Sequence, residues 1–119
     1  MKFTLVLAAV AALAPAAASA DTCFRTRDIS NHRKVDNHTL YMRVGLKDVY
    51  RISSKGACLA GATSNDALVV GAPPSGLVCS PVAFDLGVRQ GGHVSHCIVD
   101  SIVKLTPQQV AALPKGMRP

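Results

Sequence analysis

Thr39 to Val44 alternates strictly, with Leu40, Met42 and Val44 on one side and Tyr41 and Arg43 on the other. That period-two pattern predicts a half-buried strand. Gly45 to Asp48 turns the chain, and Val49 to Ser53 returns as the second arm of a hairpin. Ahead of it, Cys23 to Ile29 reads as a first strand and Ser30 to His38 as a polar loop. Beyond it, Lys55 to Thr63 is small and Gly/Ala-rich, and Asp66 to Val70 reads as a short strand. Ala72 to Gly76 holds two prolines and a glycine, a composition that forces a turn. Leu77 to Cys79 and Val82 to Val88 read as extended, with Pro81 between them marking an edge or a bulge. Arg89 to Gly92 makes a second hairpin turn, and His93 to Leu105 is a long strand. Thr106-Pro107-Gln108-Gln109 predicts a helix start, Thr as cap and Pro in the first helical position, and Pro114 and Gly116 keep that helix short. The expected fold is mainly β: a small antiparallel sheet or partly closed barrel with a short C-terminal helix.

The first twenty residues follow a different rule. Met1-Lys2 is a short positive start, Phe3 to Ala14 is apolar and uncharged, Pro15 breaks the run, and Ala18-Ser19-Ala20 offers small residues for cleavage. This is the layout of a secretory signal peptide, cut after Ala20. Twelve apolar residues fall short of the ~20 that a spanning helix requires. Asp21 and Thr22 before Cys23 do not suit a lipid-anchor cysteine, and no twin arginine precedes the apolar run. The expectation is an exported, soluble chain, periplasmic or secreted, with residues 21–119 as one domain.

Composition sharpens the picture in two ways. The chain has no Trp, three Phe and two Tyr, so its core must come mainly from Val, Ile, Leu and Ala. Its net charge is +6, or +5 without Lys2. The charge is uneven: residues 21–55 hold eight Lys/Arg against four Asp, and 56–119 hold four against three. A basic half favours an anionic partner, either an envelope component or a protein. Nucleic acid is a poor partner, since no recognition motif is present.

Cys23, Cys58, Cys79 and Cys97 are an even set behind an export signal, the usual mark of a structural disulfide framework. The three possible pairings are open in sequence. The expected one joins Cys58 to Cys79 across a turn-rich segment and Cys23 to Cys97, tying the first strand to the last long one. No Cys-x-x-Cys is present, which argues against a redox-active pair.

The chain resembles an uncharacterised family of small exported bacterial proteins, a domain of unknown function. The resemblance rests on Cys23-Phe24 with Ile29, on Asp36, Leu40 and Val44 leading to Tyr50-Arg51-Ile52, and on Cys58-Leu59. It continues through Val78-Cys79-Ser80 before Phe84-Asp85 and ends with Cys97-Ile98-Val99, Ile102 and Leu105. It implies a compact disulfide-containing β fold in the bacterial envelope and no particular activity.

Candidate chemistry is sparse. His93 and His96, next to Cys97, have some character of a Cu or Zn site, with His32 and His38 as distant additions. In a strand, however, His93 and His96 face opposite ways, and a disulfide would remove the thiolate that a tetrahedral site needs. Ser95, His96 and Asp100 can be written as a hydrolytic set, but no nucleophile-elbow glycine pattern accompanies them. All seven acidic residues are single Asp, and a sheet this size leaves little room for a pocket of ~300 Å³ or more. Tyr41 and Arg43, with Arg51 on the neighbouring strand, form a candidate contact patch for an anionic group, which Arg25 and Arg27 would extend. The leading expectation is a non-enzymatic exported protein with a binding or structural role and no cofactor. A metal-binding module and a small envelope enzyme or enzyme inhibitor stand as alternatives.

Overall fold

The structure, a computed structural model, describes residues 23–119. The signal-peptide reading lies outside the described residues. Among them eight strands form: β1 (Phe24–Arg25), β2 (Ile29–Lys34), β3 (Thr39–Val44), β4 (Asp48–Lys55), β5 (Leu68–Gly71), β6 (Leu77–Val78), β7 (Asp85–Gln90) and β8 (His93–Lys104). The one α-helix among the described residues, α1 (Pro107–Ala111), follows them. Six strands make one antiparallel sheet in the order β2-β3-β4-β8-β7-β5, and β1 pairs with β6 as a separate two-stranded ribbon. The expected mainly β class with a short helix near the C-terminus and two disulfides is what the chain forms.

The long strand β8 explains the curl. Its C-terminal part pairs with β4 and its N-terminal part with β7, so it belongs to both halves of the sheet. Ser53 opposes Ser101 and Ser54 opposes Val99, which leaves Asp100 as an extra residue in a bulge. A bulge bends its strand and increases local twist, and here it lets the sheet close partway on itself. The concave face buries Leu40, Met42 and Val44 of β3, Tyr50 and Ile52 of β4, Leu86 and Val88 of β7, and Cys97 and Val99 of β8. The β1–β6 ribbon drives Phe24 and Val78 into this core. Phe24 lies 5.1 Å from Tyr50 and 5.3 Å, edge-on, from Phe84.

Three expected elements differ. The first strand is only Phe24–Arg25, because Thr26–Asp28 forms a 3₁₀ turn. The polar loop expected from Ser30 to His38 is instead strand β2 through Lys34, followed by a turn. Its polar side chains hid it. His32 and Lys34 stand opposite Met42 and Leu40, on the core side, where apolar residues would normally announce a strand. Both are satisfied by backbone carbonyls: His32 Nε2 donates to Asp66 O at 2.9 Å, and Lys34 Nζ to Ala62 O at 2.8 Å. These bonds, with Lys34 N to Ser64 Oγ at 3.0 Å, tie β2 to the segment before β5 and close one end of the seam between the two edge strands. The stretch expected to be extended from Val82 also begins as a 3₁₀ turn, Pro81–Ala83.

The disulfide pairing also differs. Cys23 bonds Cys79, and Cys58 bonds Cys97. The reason lies in the register: Phe24 opposes Val78, so Cys23 and Cys79, each one residue outward, meet at the end of the ribbon. Cys97 points into the core beside Leu86, and the turn after β4 carries Cys58 to it. Closing loops of 56 and 39 residues, each bridge contributes about 4 kcal/mol on the chain-entropy model. Against a typical domain stability of ~5–15 kcal/mol, each bridge is a large share of the total.

The expected helix forms with the expected cap. Thr106 Oγ1 accepts from Gln109 N at 3.2 Å, and Gln109 Oε1 accepts from Thr106 N at 2.8 Å, a full capping box. No helix among the described residues is long and apolar enough to cross a membrane.

Candidate anion-binding face

Residues of β2, β3 and β4 point alternately to the two faces of the sheet, so the pattern that builds the core also sets the convex face, although Val49, on the outward side opposite Arg43, is itself buried. Register then fixes which outward residues meet. Arg33 opposes Tyr41, Tyr41 opposes Arg51, and Arg51 opposes Val103. This is one continuous row across four strands, with an aromatic ring flanked on each side by a guanidinium. Directly opposed residues on neighbouring strands have Cβ atoms roughly 4.5–5.5 Å apart, close enough for both arginines to reach one ligand. Arg43 stands on the same face one row away, opposite Asn31 and Val49.

The sequence-predicted trio of Tyr41, Arg43 and Arg51 is thus brought onto one face. Arg33 completes the row and was missed, because its strand reads as a loop. The signal that finds it is the hairpin itself: once β2 pairs antiparallel with β3, the residue opposite Tyr41 must share its face. Arg25 and Arg27 do not extend the patch as expected. The 3₁₀ turn breaks their alternation; Arg25 bonds Ser75 O at 3.4 Å, and Arg27 pairs with Asp28 at 4.0 Å.

The electrostatics of the row are unbalanced. Among the described residues the ion pairs are Arg27–Asp28 and Lys104–Asp48, so Arg33, Arg43 and Arg51 have no carboxylate partner. Arg33 is also half-buried, and its Nε is enclosed without any hydrogen-bond acceptor.

The other sequence candidates do not converge. His93 and His96 lie in β8 on opposite faces, with His96 opposite Gly87 on the convex side. Cys97 is in a disulfide. His32 and His38 bind the carbonyls of Asp66 and Gly56. No three His, Cys, Asp or Glu side chains among the described residues gather as a metal-holding group. Ser95 is on the opposite side of β8 from His96, and Asp100 occupies the bulge, so these three do not form a relay.

Among the described residues, three groups titrate away from their ordinary values. Burial is the main cause that lowers His32, only partly offset by its bond to Asp66 O. The His38 backbone N–H, donating to Asp36 Oδ1 at 2.8 Å, holds the Asp36 carboxyl low. Burial, then the nearby Asp48 charge, raises Tyr50. None of the three belongs to the arginine row.

The class defined by this geometry is a curled antiparallel half-barrel, stapled by two disulfides, with a cationic aromatic row on its convex face. Compared with protein-family models, curated proteins and solved structures, the chain matches none.

Proposed function

We propose that this protein is a non-enzymatic exported domain of the bacterial envelope that binds an anionic component, or an acidic protein surface, through Arg33, Tyr41, Arg43 and Arg51. The observation that carries this reading is the row itself: three arginines on one face around a tyrosine, with no acidic side chain among the described residues bonded to any of them. Guanidinium groups match carboxylate, sulfate and phosphate oxygens in paired hydrogen bonds, and a tyrosine between them supplies a rigid apolar platform. Two disulfides suit an oxidising compartment outside the cytoplasm, and the leader-like first twenty residues support export. The resemblance to small exported bacterial proteins points the same way.

The test is retention on a sulfated-polysaccharide resin. Wild type should elute at distinctly higher salt than Arg33→Ala/Arg51→Ala, while Lys55→Ala/Arg89→Ala, which removes the same charge elsewhere, should elute close to wild type. Equal loss in both variants would mean that net charge, not the row, drives retention.

A further inference from the structure

At the end of the sheet, beside the β3–β4 turn, a groove of about 690 Å³ opens between the strand ends and the C-terminal segment. That volume lies within the ~300–1,000 Å³ range of small-molecule sites. Leu105, Pro107, Val110 and Ala111 make its walls apolar. Lys47, Lys104 and Arg118 bring three cations to it against one carboxylate, Asp48. Asp48 is already paired with Lys104 at 3.8 Å, which leaves the rim with an excess of positive charge. Arg118 is held in place: its Nε donates to Leu113 O at 2.9 Å and one terminal nitrogen to Ala111 O at 2.7 Å. Leu46, next to Lys47, is 97 % exposed, an apolar side chain without cover at the tip of the neighbouring turn. None of the groove's residues belongs to the arginine row.

We propose that this groove binds a single-chain amphiphile with an anionic head, specifically a free long-chain carboxylate. The apolar walls take the chain, and the cations at the rim take the head. An ammonium or guanidinium in contact with a carboxylate makes a charge-assisted hydrogen bond, stronger than a neutral one. Because the recess is of single-ligand size and walled by α1 and the strand ends, it suits one free chain and not the surface of a bilayer. A neutral amphiphile of the same length keeps the apolar contact and loses the head-group contact. A short carboxylate does the reverse.

The experiment is calorimetric titration of the oxidised protein with dodecanoate, monododecanoyl glycerol and acetate, each below its aggregation threshold, with phosphatidylglycerol vesicles as a fourth arm. Dodecanoate should bind, the neutral glyceride should bind at least about tenfold more weakly, and acetate should not bind. Val110→Asp, on the exposed helix, should abolish dodecanoate binding. Lys47→Ala/Lys104→Ala should erase the preference for carboxylate over glyceride while retaining the glyceride affinity. Melting curves of both variants report whether the fold is intact, and if Val110→Asp unfolds, the double lysine variant decides alone. The proposal is overturned if dodecanoate fails to bind, if glyceride binds as tightly, if the lysine variant keeps the preference, or if only vesicles bind.

Discussion

Arg33 and Tyr41 stand directly opposite each other on the convex face of the β2–β3 pair, and Tyr41 in turn stands opposite Arg51. The pairing puts one aromatic ring between two arginines from separate strands. None of the three lies next to another in sequence. The relationship exists only because Val35 to Asn37 turns the chain so that β2 lies antiparallel to β3, a turn closed by Val35 N bonding Thr39 O at 2.9 Å.

A redox prediction follows from the register of the small ribbon. Peptide mapping of the unreduced protein should recover Cys23 linked to Cys79 and Cys58 linked to Cys97. Removing either bridge by a paired Cys→Ser change should cost about 4 kcal/mol on the loop-entropy model. A Cys23–Cys97 peptide in the oxidised native protein would refute the β1–β6 register.

Gly87 is a packing constraint that no turn explains. A Cβ there would lie 2.7 Å from Val94 Cγ1 and 3.3 Å from the Ser95 carbonyl oxygen. Val is stiff about χ1 and backbone cannot yield cheaply, so Gly87→Ala should destabilise by about 1–3 kcal/mol. Adding Val94→Ala should recover part of that loss in denaturant melts, whereas a distant exposed change such as Val82→Ala should not.

His32 gives the stability a pH dependence with a definite sign. Its folded-state pKa is depressed, so the unfolded chain takes up the proton first as pH falls. Stability from this site is fully present above the unfolded value of about 6.5 and is lost as pH falls from there through the lower folded value. Denaturant melts between neutral and mildly acidic pH should show that decline. His32→Gln, which can still donate to Asp66 O, should flatten it. Asp36 acts in a lower window: its pKa is also depressed, so its contribution is present above about 3.9 and fades as pH falls through its folded value.

The legible parts of the sequence were those where side-chain chemistry and burial agree. Leu40, Met42 and Val44 alternate with polar residues, and the strand they predict forms with those three buried. Thr106, Pro107 and Gln109 specify a helix start locally, and the capping box forms. β2 was illegible for the opposite reason. Its core-side positions are His32 and Lys34, whose polar ends are satisfied by carbonyls about thirty residues away in sequence, which no local pattern reveals. Arg33 was lost with it. The disulfide pairing failed similarly, since it depends on a two-residue strand contact that is fixed only once Phe24 packs on Tyr50 and Phe84. The groove by α1 was invisible because it joins Lys47 to Arg118.

Whether the row around Tyr41 is an anion-binding surface is decided by residue-resolved NMR titration with a defined sulfated oligosaccharide. Saturable shifts centred on Arg33, Tyr41, Arg43 and Arg51 are expected, weakened by added salt and lost in Arg33→Ala/Arg51→Ala. Shifts centred elsewhere on the surface, or unchanged by that double substitution, would contradict it.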